Sequence, residues 1–403
     1  MSALEAYCSP EFEKAFGLSN WKERAVPAFN DDGSESFRDA NGELIEGIYL
    51  GMPNDLYHSL PALSSSGLKK FCDSPALYAR EYLSSVNRKR TTQMKHTFDA
   101  GTYGHELCLE AEGFYDRYFR DLVPADCPDA MDTVADIEKA LVAAGLSASE
   151  SKDDKIARLL RYAPATDTTT LKTLKDIDAA LEAAGQPKSE SKLEKARRLM
   201  AANPLAEVFE LVQQQNRDKH GAAETLTVNG EQATAYGGKL PIDGVVWDDA
   251  HRVQASVRSH SQANAIIQNG EPEVAILALC PLTKLWLKVK FDWLRFDDEA
   301  ADVKTTLSSR PEDFKRQISK LNYDIQLAFY SYVAELVGIT IKRFSMIAVE
   351  YVNADICQPY ELGLHRIVKA RQRLDNSFKN YVECTQTGKW WGWSKEDCVM
   401  VLD

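Results

Sequence analysis

The sequence predicts an α/β fold interrupted by a small helical module, on three observations. Residues 285–291 alternate apolar and polar side chains, as in a β-strand, and residues 311–337 place apolar side chains at the spacing of a helix face. A segment that begins at Thr133 is repeated from Thr173, 40 residues later, which marks a tandem duplication. A chain of 403 residues with 44% apolar content can form one large core and a smaller module.

Composition narrows the class of protein. The sequence has no apolar run of the length that spans a bilayer, and Met1–Glu5 lacks the pattern of a signal peptide. We therefore expect a soluble cytoplasmic protein that does not contact a membrane. The eight cysteines include no Cys-x-x-Cys pair, which favours reduced thiols and argues against zinc or an iron–sulfur cluster.

The alternating strand is followed by two acids and a lysine. Its apolar residues, from Leu285 to Phe291, predict one buried face, and Asp292 comes directly after them. Asp302 and Lys304 are two apart, so on a strand they project to the same side. A turn near residues 297–298 would pair the two strands and bring Asp292 across from Asp302.

This grouping predicts a divalent metal beside a phosphodiester. The carboxylates of Asp292 and Asp302 are hard oxygen ligands that suit Mg²⁺, with Mn²⁺ as an alternative. A water on such an ion loses its proton more easily. Lys304 would lower the pKa of that water further or neutralise charge on the phosphate in the transition state.

The next segment predicts one helix that carries two further polar residues. Pro311 indicates its start and Gly338 its stop. Gln326 and Tyr330 are four apart and therefore share a face. We expect this amide and phenol to orient a DNA strand or the catalytic lysine.

The duplicated segment predicts two helix–link–helix units. In each unit a short helix ends at Gly145 or Gly185, and an extended link leads to a second helix. The units resemble the SAP or helix-extension-helix motif, which is common on DNA-processing proteins. Lys192, Arg197 and Arg198 would then grip phosphates, and the alternative is a spacer or a protein-docking arm.

Net charge is unfavourable for a DNA-binding protein, so the distribution of charge matters. The formal charge is −12, whereas affinity for DNA comes mostly from Lys and Arg. Two basic clusters would line a DNA channel, or each would be an ordinary solvated face. One cluster consists of Arg88, Lys89 and Arg90 with Lys95 and His96, and the other of Lys315, Arg316 and Lys320.

Taken together, the motifs resemble the PD-(D/E)XK nuclease superfamily, and within it the RecB-like group marked by Gln-x-x-x-Tyr. The motif order over residues 46–120 and 240–395 is similar to that of the RecE family, the ATP-independent exonucleases of prophage recombination systems. The matching segments are Glu46–Tyr49, Tyr57–His58, Leu63–Ser66, Ser74–Tyr78 and Gly101–His105. The resemblance implies that His105 joins Asp292 and Asp302 at the metal, and that Glu273 or Glu271 supplies a further acid.

Each motif also has a plainer interpretation. Asp-x-Lys alone is common on exposed strands, and His105 alone would be a satisfied histidine near a helix start. Gln326 and Tyr330 would simply pack and cap, and Glu273 would be a surface acid beside a loop at residues 269–272. Only the combination of motifs in the family's order favours a nuclease site.

The sequence therefore predicts an α/β PD-(D/E)XK core, a mixed sheet flanked by helices, with an inserted all-α module. The predicted divisions are a poorly ordered extension (1–45), the first part of the core (46–127), the SAP-like repeats (128–204) and the second part of the core (205–403).

The expected activity is Mg²⁺-dependent exonuclease digestion of duplex DNA. The RecE resemblance implies 5′-to-3′ resection from duplex ends, a ring-shaped homo-oligomer and a RecT-type single-strand annealing partner. The alternatives are an endonuclease in phage defence or DNA processing, and a non-catalytic DNA-binding or assembly protein.

Overall fold

The computed structural model describes residues 19–83, 92–228, 231–352, 354–395 and 399. The strands of these residues are, in chain order, β1 (Val26–Pro27), β2 (Gly47–Leu50), β3 (Leu63–Ser64), β4 (Tyr118–Arg120), β5 (Ala223–Val228), β6 (Glu231–Tyr236), β7 (Leu240–Ile242), β8 (Gly270–Leu279), β9 (Trp286–Arg295), β10 (Glu299–Thr305), β11 (Arg343–Val349) and β12 (Cys357–Glu361).

Helices precede, separate and follow these strands. They are α1 (Trp21–Arg24), α2 (Asn54–Ser59), α3 (Ser65–Asp73), α4 (Pro75–Tyr78), α5 (Thr92–Leu109), α6 (Ala111–Arg117), α7 (Val134–Ala143), α8 (Lys152–Tyr162), α9 (Leu174–Ala183), α10 (Lys192–Ala202), α11 (Phe209–Asp218), α12 (Gly244–Ser259), α13 (Ser261–Ile266), α14 (Pro311–Lys320), α15 (Tyr323–Leu336) and α16 (Leu364–Thr387). Shorter turns of other helix types are Ala79–Leu83, Pro124–Asp126 and Thr168–Thr170.

The main sheet is mixed, with strand order β1-β2-β8-β9-β10-β11-β12. β8, β9 and β10 are antiparallel neighbours, whereas β10 and β11 are parallel. Two strands pair with the same edge of β9. β3 pairs with it at Leu287, and β10 pairs with it at Trp293 and Leu294. The predicted α/β fold with a mixed central sheet flanked by helices is confirmed.

The central strands are buried on both faces. Val274 and Ile276 of β8 pack in the main core with α15 and α16, and Ala275 and Leu277 pack in a second cluster with α2. The prediction of a single buried face is wrong for β9, because Lys288 is only 4% exposed. Its ammonium donates to the carbonyl oxygens of Tyr57, His58 and Leu60 at the end of α2, at 2.8–3.0 Å. Those hydrogen bonds offset the cost of burying a charged group.

The N-terminal segment is part of the core. Trp21 is fully buried in the main cluster and donates through Nε1 to the carbonyl of Arg295. β1 adds to the edge of the sheet beside β2, and Phe37 is fully buried in the second cluster. The prediction of a poorly ordered extension over residues 1–45 is therefore wrong for residues 19–45. Polar turns between these anchors obscured them in the sequence.

The predicted single helix over residues 311–337 is two helices. α14 ends at Lys320 and α15 begins at Tyr323, with Asn322 between them in the left-handed conformation at φ 52°. The Asn322 side chain donates to Asp73 and accepts from Arg373. Apolar periodicity continues through the break, so the sequence pattern alone did not reveal it. These tertiary contacts hold the break in place.

The chain divides into two compact units. One unit contains the main sheet and is formed by the described residues within 1–114, at 228 and within 248–403. The other is formed by residues 115–227 and 231–247. Among the helices of the described residues, none combines the length and the apolar content needed to cross a bilayer.

The duplicated segment lies in the second unit and has the predicted helices. α7 and α9 are each followed by a glycine at positive φ, Gly145 and Gly185. The helices pack across the two repeats: α7 shares a core with α10, and α8 shares a core with α9. Each repeat therefore completes the apolar face of the other.

Candidate metal and phosphodiester site

Three carboxylates lie next to one another on adjacent strands. The register of β8 and β9 pairs Pro272 with Trp293 and Val274 with Phe291, so Glu273 lies opposite Asp292. On the other side, the pairing of β9 with β10 ends at Trp293 and Ala301, and Asp292 and Asp302 are the next residues on each strand. Opposite residues of antiparallel strands project to the same face. The sheet itself thus brings the three acids together.

Glu273 is a residue of β8, so its assignment to a surface position beside a loop is wrong. The predicted loop at residues 269–272 is the start of that strand. Glu273 has a left-handed backbone at φ 53° and is not a fully exposed residue. Glu271, the alternative acid, pairs with Lys22 at 2.5 Å at the protein surface.

His105 reaches this group from α5. Its Nε2 lies 2.8 Å from Oδ2 of Asp292. A Cβ at Gly101 would lie 2.7 Å from Oγ1 of Thr305, at the end of β10, and a Cβ at Gly104 would lie 3.0 Å from Val253. The two glycines therefore let α5 pack closely on β10 and α12. This explains why the Gly-x-x-Gly-His pattern brings an imidazole to the sheet.

Ligand atoms of His105, Glu273 and Asp292 all lie within 4.8 Å of one another. Carboxylate oxygens with one imidazole nitrogen form a donor set that suits Mn²⁺ and tolerates Mg²⁺. Asp302 adds a carboxyl group that is within hydrogen-bonding reach of Asp292. The residues therefore fit the divalent metal that the sequence predicts.

Lys304 and Gln326 both contact Asp302. The ammonium of Lys304 lies 2.7 Å from each carboxylate oxygen of Asp302. Gln326 donates through Nε2 to Oδ1 of Asp302 at 3.3 Å and accepts through Oε1 from Lys69 at 3.0 Å. The amide of Gln326 thus connects the acid of β10 to a lysine of α3.

Tyr330 supports the site from behind. Its hydroxyl donates to the backbone carbonyl of Lys290 at 3.0 Å, and its ring packs against Phe291 and Phe344. Burial raises the pKa of this phenol well above its usual value. In this structure Tyr330 anchors β9, which carries Asp292 two residues further on.

The ionisable groups of the site shift one another's pKa values. Burial and the charge of Asp292 raise the pKa of Asp302 to about 7. Burial alone would raise the pKa of Asp292, but the charge and the hydrogen bond of His105 hold it well below its usual range. Burial alone would lower the pKa of His105, but Asp292 raises it to about 9. Opposite charges in a partly dehydrated site stabilise each other in this way.

Two lysines of the site were missed by the sequence analysis. Lys69 lies on α3, and burial together with the charge of Lys304 lowers its pKa to about 8. Lys290 lies between Glu273, at 2.5 Å, and the side chain of Asn54, at 2.7 Å. The available signal was the alternation of β9, which places Lys290 on the face of Asp292. For Lys69 the signal was its helix, which begins within the Leu63–Ser66 motif.

Of the two basic clusters that were predicted to contact DNA, the structure describes the side chains of the one on α14. Arg88, Lys89 and Arg90 lie outside the described residues. Lys315 and Arg316 are exposed on α14, where Arg316 pairs with Asp313 at 3.2 Å.

Within the second unit, the basic residues of the repeats form internal ion pairs. Lys192 pairs with Asp132 at 2.9 Å, and Arg197 pairs with Glu194 at 2.7 Å. Arg198 is only 11% exposed and pairs with Glu190 at 2.6 Å. Their predicted role in binding DNA stays a prediction.

Comparison with known proteins places the chain in a family. Residues 169–400 match the family model described as a PDDEXK-like domain of unknown function (DUF3799). The sheet and its acidic cluster agree with this class, and the chain belongs to this family of the PD-(D/E)XK superfamily. A search of curated proteins finds no match.

Among solved structures, the chain is similar to a crystal structure from Eubacterium rectale that is described as a candidate exonuclease. The sequence identity is 12%, the alignment covers 69% of this chain and 91% of that chain, and the TM-score is 0.28. Nothing further about this chain follows from that likeness.

Proposed function

We propose that this protein is a metal-dependent DNA nuclease that hydrolyses phosphodiester bonds. The observation that carries the proposal is the convergence of His105, Glu273 and Asp292 with the Asp302–Lys304 pair. Acids in this arrangement can hold a catalytic metal ion, and a lysine beside them can stabilise the charge that develops on a phosphodiester during hydrolysis. A non-catalytic DNA-binding protein would have no need to bury so many ionisable groups in one place.

His105, Glu273, Asp292 and Asp302 would hold the divalent ion. That ion, Mg²⁺ or Mn²⁺, would acidify a water and neutralise charge on the phosphate. Lys304 holds the carboxylate of Asp302 in place and adds a fixed positive charge at the position where negative charge grows during hydrolysis. Gln326 orients Asp302 through its amide, and Tyr330 fixes the strand that carries Asp292.

The order of the RecE-like motifs supports a more specific proposal. On that basis the enzyme digests the 5′-ended strand from duplex ends, uses Mg²⁺, and leaves a 3′ overhang for a RecT-type annealing protein. A ring-shaped homo-oligomer and DNA contacts by the SAP-like repeats belong to the same proposal. Exposed Lys315 and Arg316 on α14 are available for contacts with the DNA backbone.

The test compares two substrates in Mg²⁺ and in EDTA. We expect the protein to degrade end-labelled linear duplex in Mg²⁺ and to leave covalently closed circles intact, and EDTA should abolish the reaction. Duplexes labelled at the 5′ or the 3′ end then report the polarity. Cleavage of closed circles would instead identify an endonuclease. If neither substrate is cleaved in Mg²⁺ or Mn²⁺, the proposed function is wrong.

A further inference from the structure

Two ammonium groups lie beside a single aromatic ring at the site. The Nζ atoms of Lys304 and Lys69 lie 5.1 Å and 5.6 Å from the ring centre of Tyr323, the first residue of α15. Each lysine comes from a different element, Lys304 from β10 and Lys69 from α3. The positive charge of Lys304 disfavours the charged form of Lys69, as like charges do where water is partly excluded.

The two lysines differ in their partners. Lys304 contacts both oxygens of Asp302 at 2.7 Å. Within the part of the chain that the structure describes, Lys69 forms no ion pair with a carboxylate, and its hydrogen bond goes to the neutral amide of Gln326. The charges of Asp302, Asp292 and Asp73 act on Lys69, but its direct hydrogen bond goes to Gln326, so its ammonium is available to pair with a bound anion.

We propose that Lys69 binds a non-bridging oxygen of the substrate phosphodiester, in a subsite that it forms with Lys304 and the ring of Tyr323. This inference rests on the proposed function and assigns a substrate contact to a residue outside the acid, lysine and glutamine motifs. Lys304 stays with Asp302, and Lys69 provides the cation that is free to pair with the phosphate. The pKa of Lys69, lowered by burial and by Lys304, rises when that anion binds.

Gln326 couples this subsite to the acids. Its two amide atoms contact Lys69 and Asp302 at the same time. A phosphate bound by Lys69 therefore lies near the carboxylate that would hold the metal. A point charge on a flexible stem suits a phosphate whose position shifts as the reaction proceeds.

The variant that tests the proposal is Lys69→Met, with Lys70→Met as the matched control. Lys70 is the next residue of α3 and pairs with Glu81 at 3.1 Å at the surface. Lys69→Arg is the conservative variant that keeps the charge. Thermal unfolding of all three variants shows whether each is folded.

The main measurement is equilibrium binding of a short fluorescein-labelled duplex in Ca²⁺, over a series of salt concentrations. We expect Lys69→Met to weaken binding at least about tenfold, as expected for a lost charge-assisted hydrogen bond. The slope of the logarithm of the binding constant against the logarithm of the salt concentration should decrease in magnitude by about the amount that one phosphate contact contributes. Lys70→Met should keep the wild-type affinity and slope, and Lys69→Arg should retain most of both.

A purely structural role for Lys69 would lower the cleavage rate without changing the salt slope. Wild-type affinity and slope in Lys69→Met would overturn the inference and leave the nuclease proposal intact. If wild type and Lys70→Met bind DNA but cleave nothing in Mg²⁺, the proposed function fails, and the binding data still decide the role of Lys69. If Lys69→Met does not fold, a loss of affinity in Lys69→Gln tests the same charge.

Discussion

Glu273 lies opposite Asp292 in the antiparallel pair of β8 and β9, and ligand atoms of both residues lie within 4.8 Å of His105. The Glu273 carboxylate is held by Lys290 at 2.5 Å, and Asp292 by His105 at 2.8 Å. Each acid therefore has a basic partner within the protein. A bound divalent ion would replace part of the charge compensation that Lys290 and His105 provide.

Mg²⁺ or Mn²⁺ should raise the thermal unfolding temperature of the wild-type protein by several degrees at saturating concentrations, because the ion binds only the folded state. Glu273→Gln and Asp292→Asn should reduce or abolish this rise. Differential scanning fluorimetry with and without EDTA measures the effect. Glu271→Gln is the control, since Glu271 lies two residues away on β8 and pairs with Lys22 at the surface. If the metal raises the unfolding temperature of Glu273→Gln as much as that of wild type, Glu273 is not a metal ligand.

Lys304→Met should lower the cleavage rate by about 10²–10³-fold, which is typical for loss of one preorganised electrostatic group. Asp302→Asn should cause at least a similar loss. Initial rates on end-labelled linear duplex measure both. Glu299→Gln on the same strand is the control, because Glu299 pairs with Arg295 and Arg343 away from the site. Unchanged cleavage by Lys304→Met would show that the site assignment is wrong.

DNA affinity should depend on the charge of Lys69. Because its pKa is lowered to about 8, the side chain is charged below that pH and loses its proton above it. Phosphate binding favours the charged form, so wild-type affinity should fall as pH rises from about 7 to about 9. The charged groups that act on Lys69 are Lys304, Asp302, Asp292 and Asp73.

The control for this pH dependence is Lys69→Met, which should show a flatter affinity profile over the same range. The difference in DNA affinity between wild type and Lys69→Met should therefore shrink above about pH 8. Binding titrations in Ca²⁺ at each pH measure it. Parallel profiles for the two proteins would exclude Lys69 as the titrating group.

Arg158 should be essential to the stability of the repeats. Its guanidinium is 2% exposed, pairs with Glu150 at 2.7 Å, and donates to the carbonyl of Pro187 in the other repeat. Arg158→Met leaves Glu150 buried and unpaired, which should cost roughly 3–5 kcal/mol of unfolding free energy. Hydrogen exchange of residues 133–202 measures the local loss. Lys139→Met, at an exposed position on α7, should change protection little.

Short-range patterns explain what could be predicted of the fold. Two-residue alternation placed Asp302 and Lys304 on one face of β10, and both do contact each other. The 40-residue repeat did form the predicted helices in both of its copies. In each case the pattern can be recognised without knowing which distant residues pack together.

The parts that could not be predicted depend on contacts between distant residues. The position of Glu273 depends on the register of β8 against β9, which no local pattern specifies. The break at Asn322 is held by Asp73 and Arg373, which are far away in sequence. Lys69 contacts Gln326 only because α3 packs against α15.

The most direct test is a crystal structure with Mn²⁺, located by its anomalous scattering. We expect one strong peak coordinated by His105, Glu273, Asp292 and Asp302, with Lys304 still beside Asp302. A structure in which these side chains face apart, or one in which that position stays empty while the same protein cleaves DNA in Mn²⁺, would contradict it.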